Sequence, residues 1–240
     1  MATQVMKDCG LWIAGYNLRG NMNALALDYG AEMLDATVYG NDTRIMAGGL
    51  KTMGFSHQGL FDPDVDKVLF DRIGVSNELM TITPAGVAVA DPAYFKQIVS
   101  GEYSPGGAIG DLMKFSISGD AGDGPLVRGA IMANGAFTTT ANGAVNSNLG
   151  AVSASQKLYA GLHITAVSGT TPSVTVKIQS APTAGFAAPT DRLTFTAATV
   201  IGAQWGTPVA GAITDAHWRA VYTISGTTPS FTLIVSMGIL

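Results

Sequence analysis

The sequence predicts a mainly β protein with one or two short helices, followed by a small all-β sandwich of immunoglobulin-like or jelly-roll-like type. Short stretches rich in Val, Ile, Thr, Phe and Tyr recur throughout, bounded by Gly, Pro, Asp and Asn. Helical periodicity is confined to two places, both before residue 100. The third observation is composition: of 240 residues, 47% are apolar but only 12% are charged, with 30 glycines. That is ample core for a folded chain, with about half the charge of an ordinary globular surface. The chain is therefore folded and soluble, or buried in an assembly. No apolar run reaches the roughly 18 residues that span a bilayer as a helix.

The best helix signal is DPDVDKVLFDRIG, residues 62–74. Asp62 is placed to cap, Pro63 suits the first helical position, Val65, Val68, Leu69 and Ile73 recur at helical spacing, and Gly74 ends the run. A second, weaker helix is expected at DPAYFKQIV, with Asp91 as cap and Tyr94, Phe95 and Ile98 apolar. The segments KTMGFSHQGLF, LMTITPAG, DLMKFSISGD and VRGAIMANGAFT read as strands. Period two puts Met53, Phe55, His57 and Phe61 on one face of the first and Thr52, Ser56 and Gln58 on the other. In DLMKFSISGD it buries Met113, Phe115 and Ile117 and turns Lys114, Ser116 and Ser118 outward.

Residues 138–156, TTTANGAVNSNLGAVSASQ, are small and polar and suit an exposed linker. The expected division is a first domain over 1–140, a linker over 141–156 and a sandwich over 157–240. Charge supports it: residues 1–140 hold fifteen acidic and nine basic side chains, net −6, whereas the remainder is net +2. The last part consists of strands KLYAGLHITAV, SVTVKIQSA, RLTFTAA, HWRAVYTIS and SFTLIVSMGI. The hexapeptide SGTTPS occurs twice, at 168–173 and 225–230, and each copy reads as a hairpin loop.

The motifs point away from catalysis. His57, His163 and His217 lie in separate strands without ligand spacing, so no metal site is expected. Asp62, Asp64 and Asp66 lack the glycine and closing glutamate of a calcium loop and read as helix-start carboxylates. The Gly-rich pieces IMAGGLK and SPGGAIGD continue into neither a phosphate loop nor a dinucleotide fingerprint, and GxSxG is absent. No cofactor and no enzyme activity are expected. The net charge of −4 opposes tight nucleic-acid binding. Cys9 is the single cysteine, and the start MATQVMKDCG lacks a secretory leader pattern, so synthesis in a reducing cytosol is expected. Trp12, Trp205 and Trp218 could build a glycan platform, although core placement is favoured for Trp218.

The stretch LDATVYGNDTRIMAGGLKTMGFSHQGLFD, followed by PDVDKVLFDRIG, resembles the major tail tube proteins of long-tailed bacteriophages. The likeness lies in the order of a Thr-bearing strand, a GxxxR connection, a Gly-Leu-Lys entry, a long strand ending in Gly-Leu-Phe-Asp, and a helix. The last third is similar to the extra β domain that some such proteins append. The resemblance implies a tail-tube β-sandwich in a hexameric ring, whose inner sheets join into a barrel that conducts DNA during genome ejection. It implies Thr52, Ser56, Gln58, Lys114, Ser116 and Ser118 on the lumen wall, and Asn41, Asp42, Arg44, Gly48 and Gly49 in a loop between subunits or rings. The expected partners are further copies, other tail proteins at the tube ends and DNA passing without tight binding, with no membrane. The expected location is the virion tail, with assembly in the host cytoplasm. Alternatives from other classes are a receptor- or glycan-binding virion protein and a capsid-decorating sandwich.

Overall fold

A computed structural model describes Met6 and residues 8–240; the remaining residues of the amino-terminal stretch lie outside the described ones. In chain order the strands are β1 (Gly10–Ile13), β2 (Tyr16–Asn17), β3 (Met22–Asp35), β4 (Met46–Leu60), β5 (Glu78–Thr83), β6 (Pro92–Gly106) and β7 (Lys114–Ala121). They continue with β8 (Val127–Phe137), β9 (Ala141–Asn142), β10 (Lys157–Ala181), β11 (Thr190–Thr194), β12 (Gly202–Trp205), β13 (Val209–Ala210) and β14 (His217–Ile239). The α-helix α1 (Pro63–Phe70) follows β4. The mainly β expectation holds, with antiparallel pairing between the strands.

The chain forms two compact units. The larger takes Glu78–Gln97 and Gly124–Leu240 together with the described residues up to Gly20; the smaller takes Asn21–Asn77 and Ile98–Asp123. This differs from a division near residue 140. In the larger unit β14 is hydrogen-bonded to β8 from Phe231↔Phe137 to Gly238↔Gly129, so a strand of the expected second domain is central to the sheet of the first. Nor do residues 141–156 form a free linker. Ala141 and Asn142 pair with Tyr222 and Val221, Asn146 exchanges backbone bonds with Trp218, and buried Val152 does so with Ile213. Trp218 donates its indole N–H to the Gly150 carbonyl at 2.8 Å. Composition concealed this, because backbone pairing asks for no pattern of side chains.

The spine of the larger unit is the ladder between β10 and β14, running from Leu158↔Ile239 to Ala181↔His217. Neither SGTTPS is a hairpin loop. The copies lie opposite each other in the middle of this ladder, pairing Ser168 with Ser230 and Ser173 with Ser225 across coincident bulges. Their geometry is two-fold: Gly169 and Gly226 have φ +111 and +120, Thr171 and Thr228 both +47. A Cβ on Gly169 would fall 2.7 Å from the Thr228 carbonyl oxygen, and one on Gly226 2.8 Å from that of Thr171. The bulges change which residues of the ribbon face inward. The core-facing residues flanking them, Val167 and Val174 in one strand and Ile224 and Phe231 in the other, are seven apart in each case. That odd offset inverts the inward face in β14, from Trp218 and Tyr222 to Phe231 and Leu233, whereas in β10 a further bulge between Ile164 and Ala166 offsets it and Leu162, Ile164, Val174 and Val176 share one parity. Both halves of the ribbon thus feed one core, with Leu162, Val176, Trp218, Tyr222, Leu233 and Met237 among its members.

The expected second helix is instead the start of β6. Its residues alternate against β8 from Pro92↔Ala130 to Phe95↔Val127, and Ala93 and Phe95 are fully buried. Asp91 does not cap a helix; its carboxylate accepts the Ala88 N–H at 2.8 Å in the preceding turn. Tyr94, Phe95, Ile98 and Val99 are strand formers, and tertiary pairing outweighs the capping signal.

Because each bulge glycine leaves no room for a Cβ at positive φ, Gly169→Ala and Gly226→Ala are each expected to cost about 1–3 kcal/mol. Their two-fold relation makes the two costs equal. Urea unfolding of the single variants checks this, and a loss at only one position would show that the bulges do not share their constraint.

Candidate assembly surface

The smaller unit is an antiparallel sheet in the order β3-β4-β7-β6, with the last of these contributing from Ile98 onward. The period-two reading of β4 is met: Met53, Phe55 and His57 are buried, whereas Thr52, Ser56 and Gln58 are exposed. In β7, Phe115 and Ile117 are buried, and Lys114, Ser116 and Ser118 take the opposite side. Two expectations are corrected. Met113 lies before the strand begins and is exposed, and Phe61 lies beyond the end of β4 and is half-buried.

On the dry face, glycines make room for rings on adjacent strands. Gly119 pairs with Phe55, and a Cβ there would sit 2.7 Å from the Phe55 ring; Gly59 pairs with Phe115, where the distance would be 2.8 Å. Helix α1 covers this face. Asp62 caps it by accepting the Asp64 N–H at 2.9 Å, as its position predicts, and Asn21 and Asp64 hold the Asp62 carboxyl below the usual carboxylate range. Asp66 is bound by the Tyr103 hydroxyl of β6, which donates at 2.7 Å. These three aspartates are thus helix-start carboxylates, two of them with structural partners.

His57 is fully buried beside the Phe115 ring, at 5.3 Å between centroids. Neither ring nitrogen finds a partner in good geometry. Burial lowers its pKa to about 4, and the Ala24 backbone offsets this only in part. His163, in the larger unit, is also buried but well bound: Nδ1 accepts the Gly15 N–H at 3.2 Å and Nε2 meets the Thr81 hydroxyl at 2.9 Å. Burial lowers its pKa to about 3. His217 meets the Ser147 hydroxyl at 2.6 Å, and no carboxylate bonds to that ring among the described residues. No three His, Cys, Asp or Glu side chains gather as metal ligands among the described residues. Trp12 and Trp218 are buried, and half-buried Trp205 packs against Phe95 and Tyr159.

The opposite face of the four-stranded sheet is wet. Its cross-strand rows read Ala26-Ser56-Ser118-Glu102 and Ala24-Gln58-Ser116-Ser104, with Asp28 and Asp120 flanking Gly54. Short hydroxyls and alanines dominate, and Lys114 is the one cation in these rows and their immediate neighbours against Asp28, Glu102 and Asp120. Both outer strands end the sheet without a strand on their far side among the described residues: β3 along its length, and β6 from Gly101, beyond the bridge between Ile73 and Ser100.

Beyond Gly54, where β7 ends its pairing, β3 and β4 continue alone as a two-stranded arm. This arm holds Asn41, Asp42, Arg44, Gly48 and Gly49. At its tip Arg44 Nε binds Asp35 at 3.0 Å, the Thr37 N–H also reaches Asp35, and the Ile45 N–H is taken by the Thr37 hydroxyl at 2.9 Å. Thr37 first, then Arg44, holds the Asp35 carboxyl below its ordinary range. Tyr29, Met33, Val38, Tyr39 and Leu50 are all exposed along the arm. A two-stranded ribbon is marginal alone, and this one leaves large apolar side chains uncovered by its own pairing.

No protein-family model matches the sequence, and no curated protein matches it. Among solved structures the chain is similar to a chain in the virion of a native gene transfer agent particle, with 17% identity over 52% of this chain and 97% of that one, TM-score 0.41. It is also similar to the Dit protein of phage SPP1, a hub adsorption protein, with 10% identity over 98% and 100% of the two chains, TM-score 0.40. A third likeness is to a chain of the PVC sheath-tube complex, an extracellular contractile injection system, with 11% identity over 51% and 88%, TM-score 0.38. At these values the functional reading rests on the chain's own residues.

The buried ring of His57, with only the Ala24 backbone nearby and in poor geometry, yields a pH prediction. Its folded pKa lies below the unfolded value of 6.5, so its contribution is complete above pH 6.5 and is lost as pH falls from there to about 4. Over that window His57→Leu should hold about 3 kcal/mol more of its neutral-pH stability than wild type. Urea midpoints at pH 7 and pH 4 measure the difference, and parallel loss in both proteins would refute it. On the same strand, Phe55→Arg is expected to prevent folding of the smaller unit and Ser56→Arg to leave it folded, as read by near-ultraviolet circular dichroism.

Proposed function

We propose that the chain is the repeating subunit of a phage-type tail tube, a virion structural protein that joins copies of itself into a ring through which DNA passes. The observation that carries this is one sheet with a dry face, a hydroxyl-lined wet face and two unpaired outer strands. Such strands invite pairing with another chain. Joining β3 of one copy to β6 of the next is a head-to-tail contact, which generates a closed ring when the rotation closes.

Size favours six copies over three. Six four-stranded sheets make a barrel of about 24 strands. At ~4.8 Å between strands and ~40° tilt, opposite backbones stand roughly 48 Å apart, against roughly 24 Å for three copies. Side chains narrow the smaller barrel to a slot, whereas the larger one admits a duplex. The wet face suits the lumen. Hydroxyls hydrate the wall, and the excess of Asp28, Glu102 and Asp120 over Lys114 avoids the counterion-release affinity that would hold DNA in place. On this reading Thr52, Ser56, Gln58, Lys114, Ser116 and Ser118 face the channel, the protein resides in the virion tail, and assembly takes place in the host cytoplasm.

Negative-stain micrographs of the purified full chain are expected to show rings or hollow rods with six-fold end views. A chain that stays monomeric by light scattering at high concentration would overturn the reading. In a Cys9→Ser background, Ser56→Cys should react with a soluble maleimide inside assembled rings, whereas Phe55→Cys should stay shielded. The reverse pattern would place the other face on the channel.

A further inference from the structure

Resting on the ring-forming reading, we infer that neighbouring copies meet in a single register, in which Ser104 of β6 lies directly opposite Asp28 on β3 of the next copy and hydrogen-bonds to it. Pairing of two outer strands does not by itself choose a register. β3 offers Met22–Asp35, whereas the free edge of β6 is much shorter. It starts after Ser100, whose carbonyl already accepts the Gly74 N–H at 2.8 Å, and it ends at Gly106. A short edge slides along a long one unless side chains stop it.

Parity and tilt narrow the choice. Glu102 and Ser104 lie on the wet face with Ala24, Ala26 and Asp28, whereas Tyr103 lies on the dry face with Leu25, Leu27 and Tyr29. A wall that stays wet on one side therefore admits only even staggers between copies. The row Ala24-Gln58-Ser116-Ser104 crosses the four strands at right angles. Were it to meet Ala24 of the next copy, the strands would stand upright, whereas a closed barrel tilts them by about 35–45°. At ~3.3 Å per residue and ~4.8 Å per strand, a stagger of about four residues per copy gives ~35°, about two gives ~20° and about six gives ~46°.

The hand of the sheet sets the direction. The Phe61 N–H bonds to the Met113 carbonyl at 3.0 Å, so by the alternation of an antiparallel ladder the dry-facing residues of β4 turn their backbone groups towards β7. For L-residues this puts β7 to the right of an ascending β4 seen from the dry side, and the fixed twist leans every ascending strand to the right. The row consequently arrives lower on the next copy, which is further along β3, at Asp28. A shift the other way would put Ser104 opposite Gly20, before β3 begins.

Charge selects the same register. A stagger of about two sets Glu102 opposite Asp28, and about six brings it against Glu32, like charges in both cases. About four gives Asp28 a hydroxyl donor in Ser104 and sets Glu102 opposite Gly30, where the space a side chain would fill has nothing within 4 Å. Tyr103 then meets Tyr29 on the dry face, a ring its own chain leaves 51% exposed. The bulge at Gly101 in β6 also comes alongside the one between Ala31 and Met33 in β3. The partner is a second copy because the complementary edge belongs to this chain.

The test uses the full chain in a Cys9→Ser background carrying Ser104→Cys with one of four second cysteines, Ala24→Cys, Ala26→Cys, Asp28→Cys or Gly30→Cys. Mild oxidation of assembled material should give a disulfide ladder ending at the hexamer on a non-reducing denaturing gel with Asp28→Cys, at least about tenfold stronger than with the other three. Because that cysteine also removes the carboxylate, charge variants give a second readout. Ser104→Asp alone should cut the yield of rings at least about tenfold, since like charges then meet at every seam, and Ser104→Asp with Asp28→Lys should restore them. A ladder from the Ala24, Ala26 or Gly30 variant instead, or an unchanged ring yield in Ser104→Asp, would overturn the register and leave the ring reading standing. Absence of rings in the Cys9→Ser parent as well would overturn the ring reading and this inference with it.

Discussion

Every strand must give its amide and carbonyl groups a partner, and the ladder between β10 and β14 meets this requirement over the greatest length. The larger unit depends on it. β8 and β9 pair with β14, β11, β12 and β13 pair with β10, and the apolar residues of both ribbon halves meet in one core. A ribbon of this length left straight would present one face to a core and the other to water throughout. The paired SGTTPS bulges change that together with the bulge between Ile164 and Ala166: the inward face inverts along β14 and keeps its parity along β10, so apolar residues of both halves point into one core. The repeated hexapeptide is thus one structural device in two complementary parts. Each supplies a glycine that admits the other's carbonyl.

The smaller unit obeys the same requirement and leaves it unfinished. Its dry face is closed by α1, by the Gly119–Phe55 and Gly59–Phe115 pairings and by the Tyr103–Asp66 bond, so the sheet is held firmly from one side. Among the described residues its edges are not closed, and its arm carries bare apolar side chains. The low charge of the whole sequence is understandable in these terms. On the proposed reading, surface covered by further copies gains nothing from charge, because burying an unpaired ion costs several kcal/mol whereas a buried methyl or hydrogen-bonded hydroxyl costs little.

What was legible in the sequence was what depends on local periodicity. Alternation in KTMGFSHQGLF placed Phe55 and Ser56 on opposite faces, and the Asp62–Pro63 start placed α1, because each signal is complete within a few residues. Signals that needed a distant partner were not legible. DPAYFKQIV carries an acceptable helix cap, and only β8 lying alongside makes it a strand. TTTANGAVNSNLGAVSASQ has the composition of a linker, and only the Trp218 indole and backbone hold it to the ladder. SGTTPS has turn chemistry, correctly read as unusual backbone, but a bulge and a hairpin use the same residues and differ in what stands opposite. On the candidate surface, the hydroxyl row was visible strand by strand. That β3 and β6 are the outer strands became visible only with the sheet order.

The division into units follows from the same distinction. A boundary near residue 140 is where composition and charge change, but charge records which surfaces meet solvent or partners, not which strands pair. The pairing places β8, from before that boundary, beside β14, from after it, while two excursions, 21–77 and 98–123, leave the larger unit and pair with each other. Cutting at 140 would strip β8 of its β14 ladder and expose buried Ile131 and Met132 beside an open edge. The acidic excess before residue 140 belongs in good part to the excursions, where Asp28, Glu102 and Asp120 border the wet face. Charge in this chain marks the surface proposed to face DNA, and backbone hydrogen bonding marks the domain.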